Sequence, residues 1–286
     1  MAEVRTELYV RRTLVVPASV PKDGELSSRK TLAGSLRLSV HDYSVLDANP
    51  DGVTFVFTHG NSYNKYFWEL IINLLLKRPD LRRFIKRFIA IDAANHGDSA
   101  MLNRGVLPAE ACWHDVSRDI LSTIEFVQAQ KPVIGIGHSY GGGGLADVTA
   151  AFQKSKGFRS WDRRQLQVYL DHGIYAEDPN DPSSPVHLTT PKEQEAASYI
   201  AAPLPVILEL IEKSKGRNHF IWGGNSEVVN HERQEHVARL IKPPSTSQVM
   251  AGADHAIPMS RPEQLTAAIA ELVMPLFGGW SVKGKL

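Results

Sequence analysis

Short apolar segments alternate with longer amphipathic ones along most of this chain, and this alternation most restricts the folds that it can form. VTFVFTHG, RFIAIDA and PVIGIG are nearly continuous in apolar residues, which is typical of strands buried on both faces. The stretches between them have helical periodicity. Alternating strands and helices predict an α/β fold with a mostly parallel central sheet flanked by helices.

The predicted elements follow from these patterns and from the turn residues between them. The predicted strands are, in chain order, ELYVRRTLVVPA, GSLRLSVHDYSVL, GVTFVFTHG, RFIAIDA, PVIGIG, LQVYLDHG, NHFIWGG and TSQVM. The predicted helices cover about residues 63–77, 110–130, 140–154, 231–241 and 262–276.

One proline-rich segment, residues 174–216, interrupts the alternation. It contains the apolar stretch VILELIEK and is too long for an ordinary connection within an α/β unit. We interpret it as a small helical lid over the ligand pocket, with an irregular surface excursion as the alternative. The predicted domains are therefore a core of residues 1–173 and 217–286 and a lid insertion of residues 174–216.

Composition and charge argue against several classes of function. The formal net charge of +1 gives no reason to expect a nucleic-acid partner. Residues 1–30 lack the apolar core of a secretory signal, and no run of about 18 apolar residues predicts a membrane span. The single Cys112 excludes an internal disulfide and suits a reducing compartment. We therefore expect an intracellular, cytoplasmic protein.

The segment PVIGIGHSYGGGG places a glycine-rich turn between a predicted strand and a predicted helix. A dinucleotide-binding G-x-G-x-x-G pattern fails because Tyr140 stands at the third glycine position, and the G-K-[ST] ending of a phosphate loop is absent. Residues 137–141 instead fit G-x-S-x-G, in which the flanking glycines let strand and helix approach around a strained serine. This pattern predicts that Ser139 is a nucleophile.

A serine nucleophile needs a base and an acid that orients the base, in the chain order serine, acid, histidine. Of the 11 histidines, His255 lies between the last predicted strand and the last predicted helix, where the base belongs. The acid should follow a strand between Ser139 and His255. Glu227, in the turn after HFIWGG, is our preferred acid, and Asp171, at the end of VYLD, is the alternative.

Two backbone amides are expected to form an oxyanion hole. One belongs to Tyr140, after the nucleophile, and the other to Asn61, in the loop THGNSYN that follows the third predicted strand. No metal or organic cofactor is expected. His231 and His236 are five residues apart, whereas a zinc-binding histidine pair on a helix needs a spacing of four.

The segments FTHGN, IDAANHGDSAMLN, IGIGHSYGGGGL, IWGGNSEVV and AGADHAIP together resemble the α/β-hydrolase superfamily over nearly the whole chain. NHGDSAMLN followed by GHSYGG is most similar to a fungal branch of toxin-biosynthesis hydrolases and peroxisomal lipase-like hydrolases. The resemblance implies a serine hydrolase fold with a helical lid. By position it also implies these roles: nucleophile Ser139, base His255, acid Glu227, and oxyanion donors Asn61 and Tyr140.

Two features bear on how far this resemblance extends. HGN also occurs in haloalkane dehalogenases of the superfamily, whose nucleophile is an aspartate, so Ser139 argues against dehalogenation. The final KGKL resembles a weakened S-K-L peroxisomal address with Gly284 in place of the small polar residue. The alternative to a peroxisomal location is an ordinary basic tail.

Five residues outside this set are expected to line the substrate site. His59 and His138 flank the predicted catalytic turns, Tyr63 lies near the start of the first helix, and the lid contributes the apolar residues Leu204 and Ile207. Core packing is the alternative role for Tyr63 and for the two lid residues.

We expect a carboxylesterase or thioesterase that cleaves an apolar acyl compound through an acyl-enzyme, in fungal secondary metabolism. One alternative is a non-hydrolytic biosynthetic enzyme on the same fold, such as a cyclase, an acyltransferase or a carbon–carbon bond-cleaving enzyme. The other is a non-catalytic ligand-binding protein. The expected partner is a small-molecule acyl substrate, and a homodimer is left open.

Overall fold

The computed structural model of this 286-residue chain describes residues 3–23, 25–29, 36–138, 160–181, 184–201, 208, 211–212 and 217–277. Its strands are β1 Glu3–Arg5, β2 Tyr9–Pro17, β3 Arg37–Val45, β4 Val53–Thr58, β5 Ile85–Ile91, β6 Val133–Gly137, β7 Ile174–Ala176, β8 Val186–Leu188, β9 His219–Gly223 and β10 Thr246–Met250. Its helices are α1 Phe67–Leu76, α2 Pro79–Arg82, α3 Gly97–Leu102, α4 Trp113–Phe126, α5 Arg163–His172, α6 Lys192–Ile200, α7 His231–Leu240, α8 Ile257–Ser260 and α9 Pro262–Val273, followed by a 3₁₀ turn, Met274–Phe277.

The largest described sheet has the strand order β1-β2-β3-β5-β4-β6. β4 runs parallel to both β5 and β6, whereas β1, β2 and β3 are antiparallel to their neighbours. The α/β architecture with flanking helices is confirmed. The expectation of a mostly parallel sheet is wrong for these six strands, because the N-terminal strands pair antiparallel and make the sheet mixed.

The sheet separates two hydrophobic cores, and β4 contributes to both. Phe55 and Phe57 pack in a cluster with buried residues of α1 and α9. Val56, between them, points to the opposite core, against which Ile120 and Ile124 of α4 pack. Side chains alternate across a strand, so a strand covered on both faces needs apolar residues at every position. This explains the nearly continuous apolar character of VTFVF.

The segment LQVYLDHG, predicted as a strand, is a helix in the structure. It forms most of α5, whose N-cap Asp162 accepts a hydrogen bond from the amide of Arg164. Gln165 and Tyr169 are four residues apart and are the buried positions of α5. Tyr169 packs in an aromatic cluster with Phe67, so burial along one helical face outweighs the strand propensity of the segment.

β9 and β10 pair in parallel as a second, two-stranded sheet. In the described part of the chain, β6 pairs only with β4 and β9 only with β10. Residues of β6 and of β9 line the same cavity.

The segment predicted as a lid contains the antiparallel pair β7–β8 and helix α6. The boundaries 174–216 stay a prediction. Leu204, Ile207 and most of the predicted helix VILELIEK lie outside the described residues, as does the predicted helix over residues 140–154.

Candidate active site

His138 follows β6 and stands one residue before Ser139. Its backbone amide donates to Thr58 O at the end of β4 (3.0 Å), so the pairing between β4 and β6 extends to His138. Its Nε2 lies 3.0 Å from the carbonyl oxygen of His255. Because a carbonyl only accepts, Nε2 carries the proton and the ring is fixed in one orientation. Burial lowers the pKa of His138 to about 4, so this imidazole is neutral at physiological pH.

His255 lies between β10 and α8, and its ring is 5.6 Å from that of His138. Its Nδ1 is 3.2 Å from the hydroxyl oxygen of Ser226, which also accepts the amide of Val229. Its Nε2 is buried and has no hydrogen-bond partner among the described residues. Burial lowers the pKa of His255, and the nearby Asp254 opposes that shift. A neutral imidazole with one unoccupied buried nitrogen is the form that a general base requires.

Asn61 is fully buried in the loop after β4. Its side-chain oxygen is 2.7 Å from His96 Nε2, and its side-chain nitrogen donates to Glu195 O in α6 (3.0 Å). The next residue, Ser62, has a positive φ of 65°, a conformation that costs energy in a residue with a Cβ. The oxygen and the nitrogen of the Asn61 side-chain amide are therefore both bonded, and these bonds hold the loop in place.

His59 stabilises the same loop from the sheet side. Its Nε2 accepts the amide of Ala93 (3.1 Å), which leaves the proton on Nδ1 to donate to Gly60 O (2.7 Å). Burial lowers the pKa of His59, in keeping with a neutral ring. Both ring nitrogens bond backbone groups, so His59 joins the loops that follow β4 and β5.

A buried ion-pair network lies behind these loops. Asp92, at the end of β5, accepts the backbone amide of Lys65 through one oxygen (2.6 Å) and the Lys65 ammonium through the other (2.7 Å). The ammonium also contacts Asp98 (2.5 Å). Gly97 is required here because its φ is 50° and a Cβ would lie 2.7 Å from an Asp92 carboxylate oxygen.

Helix α6 bonds to the loops around the site. Besides the bond from Asn61, the Ser62 hydroxyl contacts the Glu195 carboxylate. The Trp113 indole N–H donates to Ser198 O (2.9 Å), and Gln194 donates to Pro108 O (2.8 Å). Helix α6, which lies in the segment predicted as a lid, is thus attached to loops from different parts of the core.

Tyr63 belongs to an aromatic cluster beside His138. Its ring is 5.7 Å from His138, 5.6 Å from Trp161 and 5.2 Å from Phe67. Burial raises the pKa of the Tyr63 phenol, so the group stays protonated. This position fits either a pocket wall or core packing, the two roles that the sequence left open.

Neither candidate acid forms an ion pair or a hydrogen bond with His255 within the described part of the chain. Asp171 is exposed on α5 and accepts a hydrogen bond from Gln167 (2.7 Å). Glu227 follows Ser226 in the turn after β9, and its side chain is exposed. No carboxylate of the described residues forms an ion pair with His255, and Ser226 occupies hydrogen-bond distance from Nδ1. The assignment of Glu227 stays a prediction.

Ser139 and Tyr140, the predicted nucleophile and second oxyanion donor, lie outside the described residues. Within the described ranges, no group of three or more His, Cys, Asp or Glu side chains is arranged to hold a metal ion. The described helices also include none long and apolar enough to cross a membrane.

Sequence reasoning missed Ser226, Glu195, Lys65 and Asp92. Asp92 had a detectable signal, because it is the first polar residue after the apolar strand RFIAI, where a side chain reaches the carboxyl edge of the sheet. The other three residues carry no pattern of their own. Their contacts depend on segments far away in the sequence.

Curated relatives match one part of the chain. The Type I acyl-CoA thioesterase mpaH of Penicillium brevicompactum is 31% identical over 112 residues, which are 37% of this chain and 26% of that protein. The Peroxisomal membrane protein LPX1 of Saccharomyces cerevisiae is 36% identical over 96 residues, which are 32% of this chain and 25% of that protein. The chain thus aligns with about a quarter of the length of these relatives.

Solved structures are similar over nearly the whole chain. The peroxisomal α/β-hydrolase Lpx1 of S. cerevisiae superimposes with a TM-score of 0.80 at 17% identity, covering 98% of this chain and 92% of that one. A thermophilic esterase from Thermogutta terrifontis gives a TM-score of 0.57 at 16% identity, covering 93% and 99%. At these identities the comparison shows the fold.

The family is shown by a match across the middle of the chain. The model described as the alpha/beta hydrolase family aligns with residues 55–208, more than half of the 286 residues. The matched range begins in β4 and contains the Asn61 loop, the G-x-S-x-G turn and α6. The chain therefore belongs to the alpha/beta hydrolase family.

Proposed function

We propose that this protein is a serine hydrolase, a carboxylesterase or thioesterase that cleaves an apolar acyl ester or thioester. The observation that carries the proposal is the position of His255. Its buried Nε2 has no hydrogen-bond partner among the residues that the structure describes, its ring is 5.6 Å from that of His138, and the next residue in the chain is Ser139. A neutral imidazole there can take the proton of a serine hydroxyl during attack on a carbonyl.

In the proposed reaction, the Ser139 oxygen bonds to the substrate carbonyl carbon while His255 takes the serine proton. His255 then passes that proton to the departing alcohol or thiol as its bond to the acyl carbon breaks. Water, deprotonated by the same histidine, hydrolyses the acyl-enzyme and regenerates Ser139. Glu227 is the proposed acid that stabilises the charged imidazole.

Asn61 and Tyr140 are the proposed oxyanion donors, each through its backbone amide. Support for Asn61 comes from its rigidity: its loop is anchored by His59, by His96 and by α6. A donor fixed before the reaction does not need to reorganise as charge develops. Removal of one such donor raises the activation free energy by about 3 kcal/mol in comparable enzymes.

The names of similar proteins support the class of substrate. mpaH is described as an acyl-CoA thioesterase, and the structural neighbours include esterases and a thioesterase domain from the curacin biosynthetic pathway. They favour ester or thioester hydrolysis over the non-hydrolytic alternatives.

Fluorophosphonate labelling combined with an ester and acyl-thioester panel tests the proposal. Wild-type protein should be labelled at Ser139, and Ser139→Ala should lose labelling and roughly 10⁴-fold or more of kcat. Ser117→Ala, at an exposed position on α4, is the matched control and should behave as wild type. Labelling without hydrolysis of any ester or thioester would favour a cyclase or acyltransferase. Absence of labelling would favour a binding protein.

Two further properties stay predictions with direct tests. A peroxisomal location is supported by the name of LPX1, and a fluorescent protein fused before residue 1 should reach peroxisomes only while Gly284, Lys285 and Leu286 are intact. Without such import, the cytoplasm is the predicted location. Homodimer formation can be measured by analytical ultracentrifugation, where a single species at monomer mass would contradict it.

A further inference from the structure

His96, the residue before α3, connects the Asn61 loop to Asn95. Its Nε2 lies 2.7 Å from Asn61 Oδ1, and its Nδ1 lies 2.7 Å from Asn95 Oδ1. The ring is fully buried. Its backbone is also held, because His96 N donates to Ala93 O (2.9 Å) and His96 O accepts the amide of Ala100 (3.0 Å). A ring fixed in this way can hold the groups that bond to it.

Both asparagines also contact helix α6. Asn61 Nδ2 donates to Glu195 O (3.0 Å). On the Nδ1 side of the His96 ring, Asn95 Nδ2 lies 3.2 Å from Ser198 Oγ. The contacts therefore form a chain that starts on α6, passes through the His96 ring and returns to α6.

The direction of these hydrogen bonds follows from the Glu195 carbonyl, which can only accept. Asn61 presents its nitrogen to that carbonyl, so its oxygen faces His96 and the ring carries a proton on Nε2. Burial lowers the pKa of His96 well below its ordinary value, so the ring is neutral and Nδ1 is an acceptor.

A neutral His96 also determines how the Asn95 side chain is turned. The Asn95 amide must turn over, so that its nitrogen donates to Nδ1 and its oxygen accepts the Ser198 hydroxyl. The Ser198 hydroxyl then releases Gln194 O, to which it otherwise donates (3.0 Å). The contacts that Asn95 gives up, to two oxygens of Gln194, are 3.4 and 3.5 Å long and therefore weak.

The backbone of Asn61 indicates what this chain holds in place. Asn61 is fully buried, yet its backbone N–H donates to none of the described residues. A buried N–H without an acceptor is rare in proteins. In the proposed reaction this N–H bonds to the oxyanion as negative charge develops on it.

We propose that His96 is a positioning residue, which orients the Asn61 backbone amide by linking the Asn61 loop to α6. This inference rests on the proposed function, because the amide acts there as an oxyanion donor. A misplacement of about 1 Å is enough to lower a rate by about a hundredfold. The alternative is that the His96 ring only fills space in the core.

Two substitutions at His96 distinguish these roles, because each keeps a group near a different ring nitrogen. The Gln side-chain amide reaches the position of Nε2, whereas the shorter Asn amide reaches the position of Nδ1. His96→Gln keeps the donor to Asn61 and should retain kcat within about fivefold of wild type. His96→Asn loses that donor and should lower kcat by roughly tenfold to a hundredfold with KM nearly unchanged. Equal kcat for the two variants would show that His96 only fills space.

Nitrogen-15 NMR of the histidine rings tests the direction of the chain in wild-type protein. His96 should be neutral at pH 7 with its proton on Nε2. Asn95→Asp places an oxygen that only accepts beside Nδ1, so this variant should raise the pKa of His96 above its wild-type value. A wild-type ring without a proton on Nε2 could not donate to Asn61, and the proposal would be overturned.

Amide hydrogen exchange separates this proposal from the proposed function, because it does not require a substrate. The backbone amides of residues 59–64 should exchange at least about tenfold faster in His96→Asn than in wild type, and at nearly the wild-type rate in His96→Gln. This pattern without ester or thioester hydrolysis would support the positioning role while contradicting the hydrolase. Hydrolysis by wild type, with exchange and kcat unchanged in His96→Asn, would contradict the positioning role alone.

Discussion

At the scale of single residues, His255 is held from two sides. Its carbonyl accepts the Nε2 proton of His138, and its own Nδ1 faces the Ser226 hydroxyl. With Nδ1 donating to that hydroxyl, Nε2 would be the basic nitrogen that the proposed reaction needs. Because burial lowers the pKa of His255 below its ordinary value of 6.5, the ring stays neutral into mildly acidic solution.

The carboxylate that supports His255 can be identified by three substitutions. Glu227→Gln should lower kcat by roughly 10³- to 10⁴-fold with little change in KM, because the imidazolium formed in the transition state loses its counter-charge. Asp171→Asn should keep full activity, since Asp171 lies on an exposed face of α5 bonded to Gln167. Steady-state kinetics measure both effects.

Ser226→Ala is the informative comparison, because the Ser226 hydroxyl lies 3.2 Å from His255 Nδ1. If Ser226→Ala reduced kcat more than Glu227→Gln did, the hydroxyl would be the orienting partner and the assignment of Glu227 would be wrong. Circular dichroism of each variant checks that the fold is intact.

At the scale of secondary-structure elements, α5 depends on its first residues. The Asp162 carboxylate accepts the amide of Arg164 and also pairs with the Arg164 side chain, contacts that lower the pKa of Asp162. The helix carries Tyr169 into the aromatic cluster beside the site, so its start determines the position of that cluster.

Asp162→Ala should lower the free energy of unfolding by about 1 kcal/mol, because an amide at the start of α5 loses its acceptor. Asp162→Asn keeps a side-chain oxygen at the cap and is the matched control, with a smaller expected loss. Urea denaturation measures both. Equal stability of Asp162→Ala and wild type would contradict a stabilising role for the cap.

Local sequence predicts those strands in which apolar residues follow one another almost without interruption. β4 and most of β5 are covered on both faces, which explains this pattern. β6 has the same apolar character, although its residues are half-buried or exposed. The α5 segment was mistaken for a strand because VYL has high β propensity, whereas its burial at Gln165 and Tyr169 follows a helical period. The bond from Asn61 to Glu195 joins residues 134 positions apart, and local periodicity cannot report such a contact.

At the scale of the whole molecule, several histidines are buried in uncharged form. Burial lowers the pKa of His41, His59, His96 and His138, and these residues are distributed from β3 to the end of β6. In the unfolded chain the same groups bind protons below about pH 6.5. Stability due to their burial is therefore fully present above pH 6.5 and decreases as the pH falls.

Urea denaturation between pH 7 and pH 5 should show a falling free energy of unfolding. His138 alone, with a folded-state pKa of about 4, accounts for about 3 kcal/mol of loss by pH 4. His138→Gln keeps a donor for the His255 carbonyl without a titrating group, and its stability should depend less on pH. A free energy of unfolding that stayed constant from pH 7 to pH 5 would contradict the prediction. It would show that folding does not lower the pKa of these histidines.

The attachment of α6 affects how readily this alpha/beta hydrolase scaffold can change the ligand that it accepts. The Asn61 and Trp113 side chains bond to main-chain oxygens of α6, those of Glu195 and Ser198, which every amino acid possesses. Most side chains of α6 can therefore be exchanged, by natural variation or in a directed-evolution library, while the helix keeps these two anchors. Residues of α6 that face a ligand can therefore diversify without loosening the Asn61 loop.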